Sequence, residues 1–376
     1  MRTLFTILLC SLTILAMGQN PIEEGFLLAK PGYEFQFPRD HGAHENYKTE
    51  WWYFTGNMED EQGTEFGYQF TIFRHQLLAP SANQSPTSLF TTPNIYLAHF
   101  AVSNITEQEH RHAERLARPE LGQAFVSNES MNLKLNDWSV IQSADETITL
   151  IAHAKREQFS VNLTVKPNKP LVLNGTNGVH VKSSDPNQAS YYYSYTNLET
   201  TGTVTWDDQA YTISGLSWMD HEFGSSWLSQ NEAGWDWFAI QLNNNVDLML
   251  YQLRTSDGSA VSNSEGTLVL ADGTKYEIHH NQRTLIPTRY WKSSQTEGNY
   301  PIEWNVKIPE YNADLKIIAR FPEQEMLTNQ STGSTYWEGA ISASGSWLGE
   351  PVQGKGYLEL VGYTGAMTPL SATPRE

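Results

Sequence analysis

Short runs of aromatic and β-branched residues recur along nearly the whole chain, each bounded by Gly, Asn, Asp or Pro. This rhythm limits the possible folds more than any other feature. Glu50–Met58, Glu65–Arg74, Ile95–Val102, Phe159–Val165, Tyr191–Leu198, Tyr211–Trp218, Trp235–Leu242, Leu248–Arg254, Tyr336–Ala343 and Gly356–Tyr363 have the length and residue preference of strands. Turn signals such as Asp60-Glu61-Gln62-Gly63, Asp207-Asp208, Asp257-Gly258 and Asp272-Gly273 separate strands of this kind. The expectation is an all-β protein, an antiparallel sandwich or barrel. Helical periodicity is scarce: Glu107–Leu121 is the best place for a helix or irregular loop, and Ala79–Pro93 reads as a loop. The polar stretch Gly224–Ala233 interrupts the aromatic strands. It predicts a boundary between residues 19–224 and 225–376, each long enough for one barrel or sandwich.

Met1 to Gly18 reads as a signal peptide, with Arg2 as the positive end, Leu4–Met17 as the apolar run and a cut at Gln19. A secreted or periplasmic location follows. The one cysteine, Cys10, lies inside this segment, preceded by bulky Leu9, which speaks against lipidation. The mature chain then has no disulfide and no thiol nucleophile. No later run is long and apolar enough for a transmembrane segment. A net charge of −18 with no Lys/Arg-rich run makes nucleic acid a poor partner. The oligomeric state is left open.

Twelve per cent of the chain is aromatic, with tryptophan in excess, and acids sit beside these rings. Because side chains alternate along a strand, Trp218, Asp220 and Glu222 share one face. Asp236 shares a face with Phe238, Ile240 and Leu242, and Glu50 with Trp52 and Phe54. Both faces of Tyr96–Val102 are apolar, so His99 should be buried. A carboxyl among such neighbours is desolvated and its pKa tends upward, which acid–base chemistry near neutral pH requires. Aromatic walls also bind apolar ligands and stabilise cations. The bland alternative is that these acids bond to buried Trp and Tyr groups. His41, His44 and His221 are too scattered to predict a metal, and the serine-hydrolase elbow Gly-x-Ser-x-Gly is absent. No cofactor is expected.

The stretches Asp40-His41-Gly42-Ala43-His44, Thr49 to Gly56, Ala98 to Val102, Tyr193-Ser194, Gly215 to Gly224, Gly234 to Phe238, Tyr300-Pro301, Tyr336 to Gly339 and Gly356 to Tyr363 resemble, in order and aromatic density, the AttH/CrtC-like family. That family includes carotenoid 1,2-hydratases and chains described as predicted secreted hydrolases. The resemblance implies two lipocalin-like β-barrels packed together with a ligand site near their junction. It implies Trp218, Asp220, His221 and Asp236 as the best site residues. The carotenoid hydratases generally lack a secretory signal, and this chain departs from them there.

The expected function is an enzyme that hydrates or isomerises a C=C bond in a lipophilic small molecule. Asp220 or Asp236 would donate the proton, His221 would orient or relay it, and Glu222 completes the acid cluster. Trp218, Trp235 and Trp237 would line the cationic intermediate. Trp52, Tyr53, Glu50, His99 and Tyr193 are the further binding residues. A carrier of lipophilic ligands and a hydrolase with acid- or His-activated water are the alternatives.

Overall fold

The computed structural model describes residues 22–23, 25–80, 92–183, 185–226 and 232–365. The expected signal peptide and its cut at Gln19 lie outside them, as does most of the Ala79–Pro93 loop. Among the described residues the protein is all-β apart from short 3-10 turns, with its strands arranged in two large antiparallel sheets.

The first sheet runs, in hydrogen-bonded order, through Glu109–Ala117, Asn94–Asn104, Glu65–Gln76, Thr49–Asp60, Gln209–Gly224, Ala189–Trp206, Phe159–Pro167, Ile148–Ala154, Trp138–Gln142, Asn132–Leu135 and Ala124–Val126. Asn94–Asn104 and Trp138–Gln142 lie far apart in this order. Yet Phe100 meets Trp138 with ring centroids 5.6 Å apart, so the sheet curls back on itself around a shared core. The second sheet runs through Lys275–Ile278, Gly266–Val269, Asp247–Thr255, Glu232–Leu242, Glu350–Val361, Ser334–Trp347, Ala313–Ala319, Asn299–Ile308 and Thr284–Lys292. Phe238 and Trp304, from strands four steps apart, meet at 5.3 Å, and this sheet curls likewise. Each large apolar side chain so buried contributes about 1.5–3 kcal/mol.

Turn chemistry sets the hairpins. Asp207 and Asp208 both take positive φ, and Leu348-Gly349 does the same inside the glycine-rich Gly345–Gly356 stretch, which forms a hairpin. Glu107–Leu121 is a correction. It forms the strand Glu109–Ala117 and a short 3-10 turn, Pro119–Leu121, because pairing with Asn94–Asn104 overrides a helix-tolerant composition.

The two curled sheets meet through the outer faces of their central strands. Tyr53, Tyr192 and Trp218 of the first pack against Trp237, Tyr251 and Tyr357 of the second. Gly67 permits the approach, since a Cβ there would lie 3.0 Å from that of Ala340. Where they meet, these strands are buried on both faces, as from Ser217 to Gly224, and there successive side chains point alternately into a barrel and into the junction.

Candidate functional site

Alternation divides the expected site residues among three compartments. On Gln209–Gly224, Asp220 pairs across to Ser194 and Tyr53, while His221 pairs to Tyr193 and Trp52. Trp218, Asp220 and Glu222 look into the junction; His221 looks into the first barrel. The expected relay from Asp220 to His221 is therefore corrected: the strand backbone lies between the two side chains.

In the first barrel, Glu50 is the hub. Its Oε1 meets His44 Nδ1 at 2.6 Å and His221 Nε2 at 2.8 Å, and its Oε2 accepts from Arg74 Nε at 2.9 Å and from the His44 backbone N–H at 2.9 Å. His221 Nδ1 and His41 Nδ1 each lie 2.7 Å from the Tyr193 hydroxyl, and His44 Nε2 lies 3.2 Å from Asp40. Trp52 stacks on His221 and donates to the His41 carbonyl. Arg74 also donates to the carbonyls of His44 and Tyr47, tying the Asp40–Tyr47 segment to the barrel. Burial would raise the Glu50 carboxyl, but the charges of His44 and Arg74 and bonds from His221 and His44 hold it well below its ordinary value. His44, Glu50 and His221 are the described residues whose spacing could hold a metal, their ligand atoms lying within 4.8 Å of one another. The same atoms are already joined by hydrogen bonds, so the cluster closes as a proton-linked network.

Asp236 lies inside the second barrel, as its neighbours Phe238 and Ile240 predict. It accepts from Arg254 Nε at 3.0 Å, the Tyr363 hydroxyl at 2.8 Å and Gln252 at 3.3 Å. It does not share a compartment with Asp220.

The junction holds the remaining candidates. Asp220 is fully enclosed: its Oδ1 accepts from Ser194 at 2.5 Å and Trp218 Nε1 at 2.6 Å, and its Oδ2 from the Tyr192 hydroxyl at 2.5 Å. Trp237 Nε1 donates to the same hydroxyl at 3.2 Å. Burial outweighs the three donors and pushes the Asp220 carboxyl up to about 7, with the charge of Glu222 adding to the rise. Glu222 is paired with Lys182 at 2.8 Å and accepts from Ser190 at 2.5 Å. His99 is buried as expected at the rim of this face, with Nδ1 on the Tyr336 hydroxyl and Nε2 on Ser331, and burial lowers it to about 3.

The second sheet adds acids that sequence reasoning missed. Glu338 and Glu359 stand directly opposite each other on neighbouring strands. Glu359 accepts from Trp235 Nε1 at 3.0 Å and is pushed up to about 7 by burial and by the charges of Glu222 and Asp220. Glu338 accepts from the Tyr53 hydroxyl; burial and Glu359 raise it well above its ordinary value. The Tyr53 ring stands edge-on to Trp237 at 5.1 Å. Tyr192, Lys182 and His180 were also missed. The signal for the two glutamates was an acid inside Tyr336–Ala340 and Tyr357–Leu360, runs too apolar to carry one on a solvated face. A groove of about 500 Å³ on the outside of the first barrel is lined by charged groups such as Glu114, Arg115 and Asp137, and shares none of these residues.

The junction therefore sets carboxyls that change protonation near neutral pH among tryptophan and tyrosine rings. Comparison with known proteins agrees with the architecture. The AttH-like family profile matches residues 28–363. An AttH-type protein of Nitrosomonas europaea is 32% identical and superposes with a TM-score of 0.79, covering 89% of this chain and 98% of its own. Kievitone hydratase of Nectria haematococca has the same fold, with a TM-score of 0.68 at 13% identity over 92% of this chain and 98% of its own. Dehydratase asqC of Emericella nidulans is 24% identical over 229 residues, which is 58% of this chain and 63% of the relative, so the match spans less than two thirds of that protein.

Proposed function

The chain belongs to the AttH-like family, and on that premise we propose that it is a hydro-lyase acting at the junction on a hydrophobic, ring-bearing small molecule, outside the cytoplasm. A hydratase and a dehydratase among the similar proteins support the reaction class. The observation that carries the reading is Asp220: a buried carboxyl facing an aromatic wall, titrating at about 7. Protonated, it can return its proton through the 2.5 Å contact to the Tyr192 oxygen, which frees the Tyr192 O–H to donate onward.

In the hydration direction, a proton from Asp220, direct or through Tyr192, goes to one carbon of the C=C bond. Electron density from Trp218 and Trp237 stabilises the cation left on the other carbon. Water adds there, and its proton passes to the ionised member of the Glu338–Glu359 pair. Two carboxyls set face to face cannot both ionise easily, so this pair holds one proton and one vacancy near neutral pH. Dehydration is the reverse. The first sheet supplies the acid and the second the base.

The test is turnover of a panel of conjugated alkenes and their hydrated counterparts in water labelled with heavy oxygen, read by mass spectrometry. Asp220→Asn is expected to lower the rate by about two to four orders of magnitude with little change in melting temperature. The rival reading is a carrier, favoured by the three donors that already surround Asp220, the arrangement of a structural carboxylate. It wins if Asp220→Asn costs about 3 kcal/mol of stability while leaving binding unchanged. Export is checked separately by the intact mass of protein from its own host, expected to begin near Gln19.

A further inference from the structure

His180 is fully buried, and neither of its ring nitrogens has a hydrogen-bond partner. It stands on the short strand Val179–Val181, paired across to Ser190, so it shares the face of Ser190, Tyr192 and Ser194 and points into the junction. Its ring lies 5.4 Å from that of Tyr192 and 5.3 Å from that of Tyr251. Lys182, paired with Glu222, sits over the same two rings at 5.1 and 4.7 Å. A polar group buried without a partner forfeits its bonds to water and gains nothing in return. Here one imidazole carries two such atoms, against the ring of the tyrosine whose hydroxyl donates to Asp220.

We propose that His180 is a specificity residue that reads a hydroxyl group on the substrate. Burial, with Lys182 and Lys275 adding their charge, keeps the imidazole neutral, so it offers one N–H donor and one nitrogen lone pair. A carbonyl satisfies only the N–H. A hydroxyl both donates and accepts, and so satisfies whichever nitrogen faces it in either tautomer. The apolar part of the wall is rich in tryptophan and tyrosine rings, and Lys182 there is already paired with Glu222, so the substrate class is a hydroxylated, otherwise apolar ring compound. The hydroxyl lies at the Tyr192–Tyr251 end, and the reacting bond lies toward Asp220. This rests on the reading of the junction as the substrate site.

The test uses β-naphthol and its methyl ether as probes, with binding to the full chain measured by calorimetry, so that no turnover is needed. The wild type is expected to prefer β-naphthol by up to about tenfold, the worth of one hydrogen bond. His180→Leu should bind both probes equally, and Asp220→Asn should keep the preference. If His180→Leu fails to fold, the wild type labelled with heavy nitrogen in its histidines serves instead: the His180 ring signals should move with β-naphthol and stay with the ether. A preference that survives in His180→Leu, its absence in the wild type, or no binding of either probe overturns the proposal. The hydro-lyase reading would still stand or fall on the heavy-oxygen assay alone.

Discussion

The cluster inside the first barrel and the cluster at the junction are buried to the same depth and are similarly rich in ionisable groups, yet they balance charge in opposite ways. Glu50 faces Arg74 and two imidazoles, each of its oxygens and each nitrogen around it has a partner, and its carboxyl is held low. At the junction, Asp220, Glu338 and Glu359 face rings and one another; Lys182 is taken by Glu222, and the three carboxyls are pushed up. One Glu338 oxygen and both His180 nitrogens lack partners. The first pattern is what a fold needs to bury charge at all. The second is a cost the fold carries, which is the usual mark of a working site. Depth does not separate the two; completeness of pairing does.

Breaking the complete cluster should have the largest effect. Glu50→Gln leaves Arg74 buried without its counter-charge, and urea unfolding is expected to show a loss of about 3–5 kcal/mol. A loss under about 1 kcal/mol would remove the contrast.

A pH series sharpens it from both sides. Asp220 and Glu359 titrate at about 7 in the folded chain and near 4 when unfolded. Their raised values favour the folded state fully below about pH 4, and that contribution is lost as pH rises through about 7. Glu50 is shifted the other way, so its contribution is present above about pH 4 and lost as pH falls. The double variant Asp220→Asn, Glu359→Gln should flatten the decline between pH 4 and 7, worth on the order of a few kcal/mol, and leave the acid limb in place. Melting temperatures across that range would check this, and an unaltered decline would contradict it. The smallest expected effect is that of Glu338→Gln. Burial and Glu359 raise Glu338 well above its ordinary value, so it is the protonated member of the pair, and Gln in its place should keep stability within about 1 kcal/mol of the parent. Urea unfolding at neutral pH would check this, and a loss of about 3 kcal/mol or more would contradict it.

Alternation alone made much of this legible. It put Trp218, Asp220 and Glu222 on one face, Asp236 with Phe238, and His99 in a buried strand, and the structure has all three arrangements. What alternation does not say is where a face looks. Gln209–Gly224 is lined on both sides by rings and ionisable groups, so the first barrel and the junction read alike, and His221 was assigned to the wrong partner. Glu338 and Glu359 became a pair only through register between strands that are joined by a hairpin at Leu348-Gly349. The strand Glu109–Ala117 sits at the edge of its sheet, half exposed, where composition carries little strand signal.

Gln209–Gly224 is also a septum one peptide thick, with His221 on one side and Asp220 on the other. Substitution can retune either side without the other noticing. Insertion of a single residue ahead of Asp220 would instead turn every later side chain through the sheet, sending the Asp220 carboxyl into the Glu50 network and the His221 imidazole into the junction. Variation in this chain's descendants is thus free to change the letters of that strand but not their number, and length changes belong at its ends.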